Sequence, residues 1–267
     1  MLGPLQTLPG PGEAAPRLRP SERRLVSVLL LFHGQACPQD LLARGVWGEK
    51  MPRHPGTALR TSVARARKAL GPAGARLISR AGAGYRASPP PGSLDLARFS
   101  ALVAAAQDAL AAARLEDAQA LLGDAVAAWP AGEAGEPEDA AADADAAAPE
   151  IAASAARLAA ERGWAALARA DALIDLGRHE ELLPALHAAV VADPHSEQAW
   201  EQFVLALDRA GRPDEAVAAY TRAREAVIHD LGVLPAAGLR AIVAAVMAGA
   251  AGGIRLTARY AGGGGPG

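Results

Sequence analysis

Cysteine is all but missing from this chain. Cys37 stands alone among 267 residues, so no internal disulfide can form and no cysteine pair can hold a metal. A reducing interior fits that usage. Aromatic residues are as scarce, at 4% of a chain that is 51% hydrophobic. A core so poor in rings and so rich in Ala and Leu closes by bringing helices together through small side chains. Long apolar runs are missing too. The longest, Leu25 to Phe32 with Ser27 interrupting it, falls far short of the roughly 20 residues that cross a bilayer. Met1 is followed by Leu, Gly and Pro rather than by a basic segment and an apolar stretch, so no signal peptide is read. The expectation is a cytoplasmic protein with no membrane partner.

Catalytic and ligand-holding patterns are absent as well. His33, His54, His179, His187, His195 and His229 form no His-Glu-x-x-His spacing and have no cysteine partners, so neither a metal nor a cofactor is expected. Gly82-x-Gly84 lacks the third glycine and the following helix of a dinucleotide fingerprint. Glu180-Glu181 and Asp214-Glu215 sit where the first turn of a helix favours acids, and need not form an acid/base pair. No catalytic residue is assigned, and the chain reads as a non-enzyme.

Charge is present but divided. The formal net charge of −2 hides a basic first part: residues 1–93 carry 14 Lys and Arg against 4 acids, or +10, and the remainder carries 13 against 25, or −12. A cationic module joined to an anionic one predicts that only the first meets a polyanion.

Within the basic part, Thr57–Leu70 reads as the organising helix. At about 100° per residue, Leu59, Val63, Ala66 and Leu70 share one stripe, and Thr57, Thr61, Ala64, Arg65 and Lys68 lie opposite. Pro55-Gly56 breaks the chain before it, and Gly71-Pro72 stops it. Short outward residues between long guanidiniums suit a helix lying in a DNA major groove. Thr61 and Arg65 are candidates for base edges. Arg60 and Ser62, at the two sides, reach bases or phosphates. The stem of Arg67 should pack on the domain while its head meets a phosphate, and Lys68, late in the helix, is assigned to the backbone.

Around this helix the order is regular. Leu2–Leu8 reads as a strand, and Ser21 caps a first helix with Leu25, Val28, Leu29 and Phe32 at helical spacing. A second helix starts at Pro38 and runs through Leu41, Leu42 and Val46 to Trp47. Residues 76–80 and 85–88 form a hairpin whose Arg80 and Arg86 can reach the minor groove or phosphates. Three helices and a basic hairpin make a winged helix-turn-helix at 1–90. Pro89-Pro90-Pro91-Gly92 is a stiff linker. The part that follows, 94–248, reads as all helix. It is interrupted by an acidic loop at 131–148 made only of Ala, Gly, Glu, Asp and Pro, whose composition predicts disorder. Residues 249–267, rich in Gly and Ala, read as a frayed tail.

An internal repeat marks the second part. Gly177-Arg-His-Glu-Glu-Leu-Leu-Pro-Ala-Leu186 aligns with Gly211-Arg-Pro-Asp-Glu-Ala-Val-Ala-Ala-Tyr220, 34 residues on, which is the tetratricopeptide period. Ala113-Arg-Leu-Glu-Asp-Ala-Gln-Ala-Leu-Leu122 is a weaker third copy. The fold expected is mainly α: a winged helix followed by a tetratricopeptide-like domain.

These segments, taken together, resemble the Streptomyces antibiotic regulatory proteins, or SARPs, with an OmpR-type winged helix and a bacterial transcriptional activator domain. The resemblance rests on Leu2-Gly-Pro-Leu5, Arg23-Arg-Leu-Val-Ser-Val-Leu-Leu-Leu31, Val46-Trp-Gly48, Val63-Ala-Arg-Ala-Arg-Lys-Ala-Leu-Gly71, Gly84-Tyr-Arg86, Leu94-Asp-Leu-Ala-Arg-Phe99, Gly211-Arg212, Ala216–Tyr220 and Leu231-Gly-Val233. It implies an activator that binds direct repeats in promoters of antibiotic gene clusters, recruits RNA polymerase with its sigma factor, and can self-associate on DNA. The family pattern has Gln, His and Leu where this chain has Arg60, Ser62 and Ala66, so no operator sequence carries over. The alternative is a tetratricopeptide-type interaction adaptor whose winged helix binds no DNA. The +10 charge on the first 93 residues speaks against it.

Overall fold

The computed structural model describes residues 17–129 and 148–261. The expected strand at Leu2–Leu8 and the acidic loop at 131–147 fall outside the described residues. Ala148, which closes that predicted loop, is 3% exposed and leads directly into a helix.

Chain contacts divide the molecule into two compact units. One comprises residues 1–101 with 127–160, the other 102–126 with 161–267. In the first, α1 (Pro20–Leu31), α2 (Gln39–Trp47) and α3 (Pro55–Ala69) pack on one another, and α4 (Gly71–Leu77) leads into the hairpin strands β2 (Ile78–Ala81) and β3 (Gly84–Ala87). The residues that seal this core are Leu25, Leu29, Leu42, Leu59 and Ile78, each fully buried. Within each helix the buried residues recur at helical spacing, as in Leu25, Val28 and Leu29, Leu42 and Val46, and Leu59, Val63 and Ala66, while Ile78 comes from strand β2.

Local signals explain the element ends, with four corrections. Residues 76 and 77, expected in the hairpin, close α4, so the strands are Ile78–Ala81 and Gly84–Ala87. The first helix begins at Pro20 rather than being capped by Ser21. Its Glu22 reaches back to accept the Arg19 N–H at 2.9 Å, satisfying a donor the helix cannot. Pro38 does not start α2. Cys37 and Pro38 form β1, paired antiparallel with β3 through Cys37–Tyr85 and Pro38–Gly84. The sheet order is therefore β1-β3-β2. Pro55 does not break the chain ahead of α3 but opens the helix, since a first helical position has no use for its N–H.

The tetratricopeptide-like part contains α5 (Asp95–Ala111), α6 (Leu115–Ala127), α7 (Pro149–Asp175), α8 (Leu183–Ala192), α9 (Glu197–Arg209), α10 (Pro213–Leu231) and α11 (Ala237–Met247). The last four, with the end of α7, enclose a core around Ile174, Val204, Leu205 and Leu239. Small residues line the α9–α10 contact: Ala199, Ala206, Ala216, Ala219 and Ala223 are all buried. In a chain short of aromatics, such alanines let helix axes approach closely.

The repeat is visible as one turn used again and again. At Gly177 and Gly211 the backbone is left-handed, with φ of 82° and 73°. Each N–H bonds the carbonyl three residues back, and the following Arg N–H bonds the carbonyl five back. Arg178 and Arg212 then pair with Glu181 and Glu215. The weaker third copy makes the same turn, Arg114 pairing with Asp117 at 2.7 Å, but Ala113 holds φ of 54° where the others have glycine. A left-handed alanine costs about 1–2 kcal/mol, partly offset by the unfolded-state freedom of glycine. Ala113→Gly is therefore expected to stabilise the fold by about 0.5–1 kcal/mol, read as a higher urea midpoint at unchanged slope.

A fourth turn of this kind corrects the reading of the C-terminus. Gly249 has φ of 66°, and Gly249 and Ala250 repeat the same pair of hydrogen bonds. The frayed tail predicted from 249 onward is instead ordered through 261. Short 3-10 turns at Ala251–Gly253 and Leu256–Tyr260 bury Ala251, Leu256 and Tyr260. Residues 262–267 lie outside the described set.

Candidate nucleic-acid interface

Helix α3 has its buried stripe where the periodicity places it, with one addition. Leu59, Val63 and Ala66 are buried, and so is Ser62 at 8% exposure. Ser62 lies three residues after Leu59 and four before Ala66, which puts it on the inner face. The expectation that it flanks the groove is corrected, and it leaves the set of candidate contacts.

The opposite face carries Thr57, Arg60, Thr61, Ala64, Arg65 and Lys68, which together line one shallow exposed groove. No acidic residue occurs anywhere in α3. Two internal bonds order the first turn: the Arg60 guanidinium donates to Thr57 Oγ1 at 3.0 Å, and Thr61 Oγ1 donates to the Thr57 carbonyl at 3.0 Å. Ala64 and the short threonines keep the centre of the face low, so a flat surface can approach between the cationic arms.

Arg67 is half-buried, and its Nε donates to the Ile78 carbonyl at 2.9 Å. Its head therefore ties the end of α3 to the start of β2. The sequence predicts that the stem packs on the domain while the head meets a phosphate; the protein itself takes the Nε N–H.

The hairpin places Arg80 opposite Tyr85 and Arg86 opposite Ser79. Cross-strand partners share a face and neighbours along a strand alternate, so the two arginines project from opposite faces of the ribbon. Both are exposed, yet the structure does not bring them onto one surface.

Two further contacts hold the hairpin beside the helices. Gln39, first in α2, donates from Nε2 to the Ala83 carbonyl at 3.0 Å in the turn. Gly84 lies so close to β1 that a Cβ there would sit 1.8 Å from the Cys37 carbonyl oxygen. Only glycine permits that approach. The Cys37 thiol is buried beneath this strand pair, and burial pushes its pKa up, so it is an inert packing group.

Arg53 and His54, exposed at the entry to α3, extend the basic surface and escaped the sequence-based selection. The signal available for them was their place next to the helix start, which hydrophobic periodicity does not register. Among the described residues no group of three His, Cys, Asp or Glu could hold a metal ion, and no helix is long and apolar enough to cross a membrane.

Two family models match in succession along the chain. Residues 13–87 match the model described as transcriptional regulatory protein, C terminal. Residues 94–247 match the bacterial transcriptional activator domain. The transcriptional regulatory protein EmbR of Mycobacterium tuberculosis is 31% identical over 245 residues, covering 91% of this chain and 61% of EmbR. Regulatory protein AfsR of Streptomyces coelicolor is 32% identical over 240 residues, 90% of this chain but 23% of AfsR. Regulatory protein DnrI of Streptomyces peucetius is 39% identical over 80 residues, 30% of this chain and 29% of DnrI. The solved structure of Mycobacterium tuberculosis EmbR in complex with a low affinity phosphopeptide superimposes with a TM-score of 0.81 at 26% identity, covering 98% of this chain and 67% of that one. The chain thus spans about three-fifths of the length of EmbR and under a quarter of AfsR. With both family models matched in this order, and with relatives that are transcriptional regulators rather than enzymes, the chain belongs to the SARP family of transcriptional regulators.

Proposed function

We propose that the chain is a sequence-specific, double-stranded DNA-binding activator that reads promoter direct repeats through α3. It acts in the cytoplasm, contacts RNA polymerase holoenzyme including its sigma factor through the helical part, and serves a secondary-metabolite, antibiotic-type gene cluster. The observation that carries the DNA reading is the outer face of α3: hydroxyls and alanine at the centre, Arg60, Arg65 and Lys68 around them, and no acid. A duplex major groove takes a helix of that profile, with arginine reaching guanine O6 and N7. The family membership supports the role in transcription, and the SARP resemblance supports the choice of genes.

Thr61 and Arg65 are the residues assigned to base edges, with Thr57 on the same face, Arg60 to bases or phosphates, Arg67 and Lys68 to phosphates, and Arg80 and Arg86 to the minor groove or phosphates. Arg65→Ala is expected to cost about 1–3 kcal/mol at the operator and to relax specificity. Lys68→Ala should weaken binding to every sequence alike and reduce the salt slope by about one. The test is a titration of the full chain and both variants against operator and scrambled duplexes at several salt concentrations. With about six phosphates neutralised, log K should fall against log salt with a slope near −5. A flat salt response removes the DNA reading and leaves the adaptor.

A further inference from the structure

The C-terminal segment Ile254–Tyr260 is held in a manner unlike the helices around it. Helices α9 and α10 meet through apolar side chains; this segment adds Leu256 and Ile254 to the same apolar cluster and is gripped by polar groups as well. Asp175, its side chain fully buried, accepts the Thr257 N–H at 2.9 Å, the Thr257 hydroxyl at 2.7 Å and the Leu256 N–H at 3.3 Å. Arg209 donates to the Ile254 carbonyl. Asp171, also fully buried, accepts the Tyr260 hydroxyl at 2.7 Å and lies 3.6 Å from the Arg259 guanidinium, which also pairs with Glu201 at 2.8 Å. Trp164 meets the Tyr260 ring edge-on at 5.9 Å.

Main-chain donors and acceptors bonded by groove side chains, together with a guanidinium between carboxylates, are the elements of peptide recognition. The segment is joined to α11 through Gly249, Gly252 and Gly253, and the latter two have no neighbours that a side chain would touch. An emptied groove is costly, since buried Asp171 would keep only Gln202 and Gln198, and buried Asp175 only Arg209, once the Tyr260 and Thr257 donors leave. Exchange for another donor-bearing segment avoids that cost, because the incoming peptide takes over the same bonds.

We propose that the groove between α7 and α9 is a peptide-binding site, occupied in cis by residues 254–260 and open by exchange to a cationic peptide carrying a hydroxyl residue, one intervening residue and then Arg-Tyr. The segment is then an internal ligand whose Leu256 also contributes to the apolar core.

The test inserts a protease site between Gly252 and Gly253 of the full chain, cuts it, and adds a fluorescent synthetic peptide of residues 254–261. The cut protein is expected to keep its circular dichroism and to exchange its own fragment for the labelled peptide, read by polarisation. Unlabelled peptide should compete, and a version with Arg259 and Tyr260 both replaced by alanine should compete at least tenfold less well. Asp175→Asn and Glu201→Gln in the protein should each weaken peptide retention about tenfold. A fragment that never exchanges under excess peptide overturns the proposal. So does a cut protein that unfolds once the fragment leaves, which would make the segment a structural seal. Equal competition by the doubly substituted peptide overturns the assigned chemistry.

Discussion

Gly84→Ala is expected to destroy the three-stranded sheet and, with it, operator binding. The added methyl would lie 1.8 Å from the Cys37 carbonyl oxygen, 2.7 Å from the Cys37 carbonyl carbon and 3.0 Å from the Pro38 Cα. All three are backbone atoms, so no side-chain rotation relieves the clash. Either β1 separates from β3 or the hairpin shifts. Both outcomes propagate, because β1 runs straight into α2 and Gln39 holds the hairpin turn from the first position of that helix. Separation would also uncover Cys37 and Tyr85, now 2% and 5% exposed. A destabilisation of about 3 kcal/mol or more is expected, above the usual overpacking range because the obstacle is backbone. The measurements are urea unfolding followed by circular dichroism and a duplex-binding titration. Reactivity of Cys37 toward a thiol reagent gives a local readout: fast labelling of the variant against slow labelling of the parent places the damage at this strand pair. A variant with parental unfolding and parental thiol protection would show that the strands accommodate a side chain.

Asp171→Ala is expected to cost about 3–5 kcal/mol, as removal of one member of a buried charged cluster does elsewhere. The carboxylate accepts Gln202 Nε2 at 2.7 Å, the Tyr260 hydroxyl at 2.7 Å and Gln198 Nε2 at 3.3 Å. Alanine leaves the buried Tyr260 hydroxyl without its acceptor and the Gln202 amide with only the Leu167 carbonyl. Asp171→Asn keeps part of the bonding and isolates the charge. Burial pushes the Asp171 pKa above the usual carboxylate range, outweighing the opposing influence of Arg259 and of the Gln202 and Tyr260 hydrogen bonds. A carboxyl raised on folding binds its proton more tightly in the native state. Its contribution to stability is complete below about pH 4 and is lost as pH rises through the folded value. The stability of the parent relative to Asp171→Asn should therefore be greatest in acid and decline with rising pH. Tyr260 shows the same direction at the alkaline end. Burial and then the neighbouring Asp171 charge raise its pKa, so ionisation above about pH 10 favours the unfolded chain. Urea midpoints of parent, Asp171→Asn and Asp171→Ala across pH 3.5–8 check both the magnitude and the sign. A parent-to-Asn difference that grows with pH would mean that the carboxylate is stabilised as an anion.

Much of this molecule was legible in the order of its residues, because local periodicity and turn chemistry act over a few positions. The outward set Thr57, Thr61, Ala64, Arg65 and Lys68 follows from a 3.6-residue period, and the structure puts all five, joined by Arg60 from the side, along one groove. The recurring Gly-Arg pairs at 177 and 211 follow from the need for a left-handed residue at a helix end, and Ala113 occupies the same turn despite its methyl group. Other features depend on partners distant in sequence, where period and propensity are silent. Ser62 is polar, yet the packing of α3 encloses it. Cys37-Pro38 becomes a strand only because Gly84 leaves room for it 46 residues later. Arg80 and Arg86 separate onto two faces once the hairpin register is set. The Gly- and Ala-rich end has the composition of a frayed tail, which is a statement about its own low capacity to order. Two carboxylates on α7, some 80 residues earlier in the chain, supply the hydrogen bonds that hold it, and only the tertiary structure brings them together.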